Sequence, residues 1–412
     1  MGTDVLNIDL TSQSFMRDPF PALARMRDAG PVVQIRLPIL GKTWVATTHD
    51  AVSEVLKDDG TFVRDARNAG KRDAVGFRWW AWLPRSVRVL NENMLSHDGP
   101  DHRRLRKLVD QAFSRHSVEG MRPRIEALCD GLLDRMAGAA VADLMEGLAR
   151  PLPLAVICEL LGLPEEDRPQ FRRWVQALMS VTSLWGAVRF LPGLFRLVGY
   201  FRRHFEECRR EPRPGLMTAL VQAEQDGDKL SENELLAMAF LLLVAGHETT
   251  VHLIGGGVLA LLEAPGQKAR LLADWSLAPS AVEELLRFVS PVQVAKPRYV
   301  RRDLEFHDRP LRRGEILIPM LASANADPAR FESPERMDLS RAPNPHVAFG
   351  TGMHFYLGAQ LARVEAQVVL EKLFSRFPIL SLAVSGSALQ YTGRLGIRAL
   401  TALPVRLTRG QN

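Results

Sequence analysis

Phe349-Gly350-Thr351-Gly352-Met353-His354-Phe355-Tyr356-Leu357-Gly358 runs directly into a helical pattern over residues 359–377. Two close glycines give a tight turn, and Gly358 lets a helix start against something flat. Upstream, residues 325–338 contain Asp327-Pro328, Phe331 and Pro334 and read as a long irregular stretch. Arg298 opens a strand region that extends over residues 299–318. Glu284 and Arg287 stand at i, i+3 on one helix face. By spacing alone they form a surface pair worth a few tenths of a kcal/mol.

Further upstream, Glu232–Glu263 reads as one long buried helix with Ala245-Gly246-His247-Glu248-Thr249-Thr250 at its middle. Small residues at 245 and 246 let something approach the backbone closely. An acid beside two hydroxyls can relay protons into a cavity; a buried helix with a satisfied polar patch explains the same residues. Its apolar run is interrupted by His247, Glu248, Thr249, Thr250 and His252, which a lipid-spanning segment would have to bury, so a core helix fits better.

The first third opens with a plausible hairpin, Val32 to Leu37 and Trp44 to Ala46 flanking Gly41-Lys42. Helical periodicity follows: Leu105, Leu108, Val109 and Phe113, then Ile125, Leu128, Cys129, Leu132, Leu133 and Met136, each set forming one apolar stripe. Strand character returns over residues 395–407. The expected fold is mostly α with a minor β region (α+β), in a single large domain over 1–412, within the bounds that 412 residues allow.

Composition is that of a soluble globular chain, 46% apolar and 24% charged, with 30 glycines and 26 prolines, too few for a fibrous or low-complexity chain. Three cysteines, Cys129, Cys158 and Cys208, are an odd and sparse set that excludes a disulfide scaffold and suits a reducing compartment. No signal peptide is visible at the start, so a cytoplasmic protein is expected, with no membrane partner. The net charge of +6 is spread along amphipathic helices rather than gathered on one face, which argues against nucleic acid.

Taken together and in this order, the motifs resemble a bacterial cytochrome P450 over nearly the whole chain. The 349–358 decapeptide matches that family's haem loop, Phe-Gly-x-Gly-x-His-x-Cys-x-Gly, at every fixed position but one. The central helix resembles the family's oxygen-activating helix, and Glu284 and Arg287 its Glu-x-x-Arg pair. His97 to Arg106 resembles the start of the helix that binds the haem propionates. The exception is Tyr356, which stands where the family has its haem-ligating cysteine.

The resemblance implies haem b as cofactor, with His102, Arg106, Arg298 and His354 donating to its propionates. Phe349, Gly350 and Gly358 would shape the loop, Phe349 beside the proximal ligand, and Ala245 would face the cofactor from the central helix. Glu248 and Thr249 would be the catalytic acid–alcohol pair. Tyr356 would be the metal ligand, since phenolate is an axial ligand in catalases. A hard oxygen anion stabilises iron(III), so peroxide-driven oxidation is an alternative to electrons from a ferredoxin or flavodoxin. Standard bond lengths put a phenol oxygen roughly 6.5 Å from its own Cα, against about 2.8 Å for a cysteine sulfur. The loop must therefore draw back, or the ring turn aside and leave the iron to water or to nothing, or the ring fill the pocket itself. The last case belongs to a second reading, a haem-free scaffold or activator of another enzyme. The distal pocket would be roofed by residues 65–95, with Phe77, Trp79, Trp80 and Trp82, and by 168–200, with Leu184, Trp185, Phe190, Leu191 and Phe195. Those side chains imply a hydrophobic small-molecule substrate; a monomer is expected.

Overall fold

The structure is a computed structural model, and it describes residues 5–38, 40–71, 88–110, 115–179, 184–213, 215–222, 224–225 and 228–408. Its axis is the helix Glu232–Glu263. Ser231 caps it: the side chain accepts from Glu234 N, and the Glu234 carboxylate accepts from Ser231 N in return, a reciprocal capping box. The helix is apolar on nearly all sides and must therefore be enclosed. It is long and apolar enough to cross a membrane, yet 72% of that apolar window is buried in the protein, which makes it a core helix. Pro151–Leu160, Ala278–Val289 and Ala359–Arg376 pack around it. A Cβ at Gly246 would lie 2.7 Å from Ile157 Cδ1, so the small residue at 246 admits a neighbouring helix.

The amphipathic stripes fall as expected. Arg122–Met136 buries Ile125, Cys129, Leu132, Leu133 and Met136, with Leu128 partly buried. Gly99–Asp110 buries Leu105, Leu108 and Val109, while Phe113 lies outside the described residues. Cys129, Cys158 and Cys208 are all buried and unpaired.

One five-stranded sheet lies beside the helices. Its strands are β1 (Val32–Leu37), β2 (Gly41–Ala46), β3 (Phe62–Val63), β4 (Arg298–Val300) and β5 (Ile316–Pro319), in spatial order β1-β2-β5-β4-β3. Only β5 and β2 run parallel. The hairpin turn lies between Leu37 and Gly41; Gly41 and Lys42, expected in the turn, are already paired with Leu37 and Arg36. Over 395–407 the strand is short, Pro404–Arg406, and the segment before it adds only the bridges Val292↔Ile397 and Tyr391↔Leu400.

Glu284 and Arg287 are not a surface pair. Both side chains are fully buried, because the helix that carries them is covered by residues 325–344. Arg287 donates twice to Glu284, at 2.8 Å each, and to the carbonyls of Asn325 and Pro334. Glu284 also accepts from Asp338 N, Arg341 Nε and Asn344 Nδ2. The irregular stretch is thus tied down residue by residue and delivers the chain to Phe349.

Candidate active site

The loop makes its turn with Gly350 (φ 69°) and Gly352 (φ 73°) in the left-handed region. Tyr356 N closes it by donating to Phe349 O at 3.0 Å. The Tyr356 ring stacks on Phe349, centroids 5.7 Å apart and planes 18° from parallel. Arg363 covers the Phe349 ring from 4.8 Å and is itself held by Glu283. Gly358 precedes the next helix, and a Cβ there would lie 2.7 Å from the Tyr356 hydroxyl.

That hydroxyl donates to Ala245 O on the central helix at 2.9 Å. The ring therefore bridges the loop and the helix, and Ala245 is the place where something approaches the backbone closely. Desolvation in this cavity pushes the phenol up to about 12; a hydrogen bond with Thr249 works against the rise and the neighbouring Glu365 carboxyl adds to it. Glu365 is itself buried, with Oε2 unpartnered among the described residues, and burial pushes it up to about 8.

Thr249 donates to Ala245 O at 2.7 Å and Thr250 to Gly246 O at 3.2 Å, back-bonds that occupy both hydroxyls within the helix. Glu248 is not among the residues that line the cavity with Thr249. It pairs with Arg394 and lies 3.9 Å from His252. Burial opposes its charge, but His252 and Arg394 outweigh burial and hold the carboxyl below its ordinary range. The structure thus brings Ala245, Thr249, Phe349, Gly350, Tyr356 and Gly358 around one cavity and leaves Glu248 out of its lining. Leu241, Leu242, Leu253, Leu286, Val294 and Leu321 give that cavity an apolar lining.

At one end of the cavity the lining turns cationic, with Arg64, Arg106, Lys296 and His354, while His102 and Arg298 stand next to these without lining it themselves. His102 and His354 are buried with rings 4.3 Å apart, and both nitrogens of each ring lack a partner among the described residues. Desolvation, then Arg106 and Arg64, hold His102 down to about 4; desolvation, Arg64 and Arg298 push His354 lower still. Arg298 is fully buried and pairs with Asp59 at 3.0 Å, leaving Nε unpartnered. Arg106 spans Asp110 and the Phe355 carbonyl. Arg64 and Lys296 complete the group, Lys296 bonding Ser96 Oγ at 2.7 Å. Buried imidazole and guanidinium nitrogens left without partners are what an anion-binding site keeps for its ligand.

Residues 24–386 match the family model described as Cytochrome P450. The chain belongs to the cytochrome P450 family. It is 40% identical over 410 residues to cytochrome P450 monooxygenase PikC of Streptomyces venezuelae, covering 99% of this chain and 95% of that protein. It is 42% identical over 406 residues to cytochrome P450 107B1 of Saccharopolyspora erythraea, covering 98% of each. Among solved structures, the cytochrome P450 PksS of the Bacillus subtilis 168 bacillaene polyketide synthase superposes with a TM-score of 0.90 at 37% identity, over 98% of this chain and 100% of that one. The myxobacterial cytochrome P450 CYP267B1, in complex with myristic acid, gives 0.89 at 40% identity over 97% and 99%.

The family's cofactor is haem b. The cationic end of the cavity fits its two propionates: His102, His354, Arg64 and Arg298 all present buried nitrogens with no partner in the described chain. The loop end fits only if the Tyr356 ring leaves the Ala245 carbonyl, since in this arrangement the phenol fills the gap between loop and helix. Arg64, Lys296, Arg394 and Glu365 were not singled out by sequence. An acid in the run Val364-Glu365-Ala366, inside an apolar helix, was a readable signal; Arg64, in Phe62-Val63-Arg64-Asp65, carried none. Of the aromatic roof, Phe77, Trp79, Trp80 and Trp82 and the side chains of Leu184, Trp185 and Phe190 lie outside the described residues; Phe195 is 41% exposed.

Proposed function

We propose that this cytochrome P450 is a haem-dependent oxidoreductase acting on a small hydrophobic molecule, with Tyr356 as the side chain offered to the iron. The observation that carries the reading is the unpartnered buried nitrogens of His354 and Arg64 in the lining of an apolar cavity, backed by those of His102, whose ring packs on His354, and of Arg298. Such groups cost several kcal/mol to leave unmet, and two carboxylates meet them. Haem, when bound, supplies the oxygen-transfer and electron chemistry.

The chain's own residues then have separable tasks. His102, Arg106, Arg298 and His354 grip the carboxylates, and Phe349 with Arg363 braces the loop from behind. Thr249 Oγ1, released from Ala245 O, holds a proton at the cavity wall. Glu248, ionised and paired with Arg394, stands outside the cavity lining and has no hydrogen bond with Thr249 in this arrangement, so a proton reaches Thr249 from it only through intervening groups. The leucine and valine walls exclude water and select an apolar substrate, in keeping with relatives whose names state polyketide biosynthesis or vitamin D(3) 25-hydroxylation. Electrons arrive from a separate ferredoxin or flavodoxin, or oxidant arrives as peroxide.

The hydrogen bond from Tyr356 to Ala245 favours a second reading, a haem-free scaffold for another enzyme, because it fills the cavity with the chain's own phenol. Purification from haem-supplemented cells separates the two. The proposed function expects stoichiometric porphyrin and iron, a ferric spectrum with a phenolate charge-transfer band that Tyr356→Phe removes, and spectral shifts with apolar ligands. Protein that folds fully and carries no porphyrin supports the scaffold.

A further inference from the structure

We propose that Arg64 is an anion-binding side chain of the cofactor cradle, gripping a ligand carboxylate together with His102, His354 and Arg298. The inference rests on the haem reading above and adds a residue that the family motif does not supply.

The sheet sets the geometry. Strands β3 and β4 pair antiparallel with Phe62 opposite Val300 and Val63 opposite Tyr299. Continuing that register by one residue brings Arg64 opposite Arg298. Like charges directly across a ladder destabilise it, and these two are also buried, Arg64 to 8% exposure and Arg298 to 0%. A buried guanidinium is ordinarily paired. The Arg64 side chain is not: Nε and Nη1 have no hydrogen-bond partner among the described residues.

The neighbouring carboxylates are committed elsewhere. Asp98 accepts from Arg64 N, Asp65 N and Asn68 Nδ2, so it anchors the Arg64 backbone rather than its guanidinium. Asp59 is taken by Arg298. Burial and Arg298 together lower the Arg64 guanidinium to about 9, still charged at neutral pH. Burial foremost lowers both histidines, and Arg64 adds to the effect, after Arg106 in the case of His102. A guanidinium held rigidly by a strand end, desolvated, opposed by another guanidinium and facing the cavity is balanced by an anion that enters the cavity. The ligand chemistry is a pair of carboxylates on one edge of an otherwise apolar molecule.

The test is a Soret titration of the apoprotein with hemin and, in parallel, with hemin dimethyl ester, in which both carboxylates are masked. Wild type, Arg64→Leu and Arg64→Lys are compared, with thermal midpoints of the three apoproteins. Arg64→Leu should weaken hemin by about 10- to 100-fold, the range of a charged hydrogen bond. It should leave the diester unchanged and keep or raise the apoprotein midpoint by removing an unpaired buried charge. Arg64→Lys should fall between the two. Equal hemin affinity in wild type and Arg64→Leu, or equal weakening of hemin and diester with a lowered midpoint, overturns the role of Arg64 and leaves the haem reading standing. Failure of wild type to bind either compound overturns both.

Discussion

Replacing Glu284 tests how the candidate site is supported. Glu284→Ala removes both acceptors from Arg287 and leaves a fully buried guanidinium with only the carbonyls of Asn325, Pro334 and Arg336. It also frees Asp338 N, Arg341 and Asn344, which fasten the segment leading into the loop. Breaking a buried pair by removing one partner costs about 3–5 kcal/mol. With an unfolding entropy of about 2 cal/mol/K per residue, a chain this long should lose roughly 3–6 °C in its thermal midpoint. Calorimetry on the apoprotein measures this directly. Asp303→Ala, which removes the exposed partner of Arg312, is the control and should leave the thermal midpoint close to that of the parent. A Glu284→Ala protein no less stable than that control would refute the claim that this pair anchors residues 325–344.

Three further outcomes follow from the same geometry. Glu283 is lowered to about 2: burial opposes its charge, and Arg363 and His346 more than offset burial. An acid depressed on folding stabilises above its unfolded value near 4.5 and loses that contribution as pH falls towards 2. Glu283 is about a third exposed, so solvent screening leaves roughly 1–2 kcal/mol at neutral pH. Glu283→Gln should remove that amount at pH 7 and flatten the acid limb of a stability–pH curve between pH 4.5 and 2; an unchanged limb would sink the assignment. Gly352→Ala forces a left-handed φ on alanine and sets its Cβ 2.6 Å from Leu56 O, so about 2–4 kcal/mol should be lost in chemical denaturation. In the apoprotein, Tyr356→Phe should cost only about 0.5–1.5 kcal/mol, because Ala245 O keeps its bond from Thr249 and the ring keeps Phe349. A much larger fall would mean that the phenol organises the apoprotein cavity.

The fold was legible in the sequence wherever one element's own pattern decides it. The central helix spans Glu232–Glu263, as its long apolar run reads, and the stripe over residues 125–136 is buried as spaced. Tertiary cover was not legible. Glu284 and Arg287 look like a surface pair until the chain after Asn325 folds over them, and Gly246 looks like room for a ligand until Ile157 fills it. The loop's glycines, histidine and tyrosine could be read in order, but the hydroxyl partner of Tyr356 comes from a carbonyl 111 residues away, which no local pattern encodes. Arg64 was invisible for a related reason: it acquires meaning only from the strand register that sets it against Arg298.

The central claim is that the cationic end of the cavity is built for the carboxylates of haem, and hemin uptake by the purified apoprotein tests it most directly. The account predicts saturation at one hemin per chain, with affinity falling at least tenfold in His102→Ala and His354→Ala, two residues whose ring nitrogens have no other partner among the described residues. A fully folded protein that shows no Soret change at stoichiometric hemin, or binds it equally well without those histidines, would contradict it.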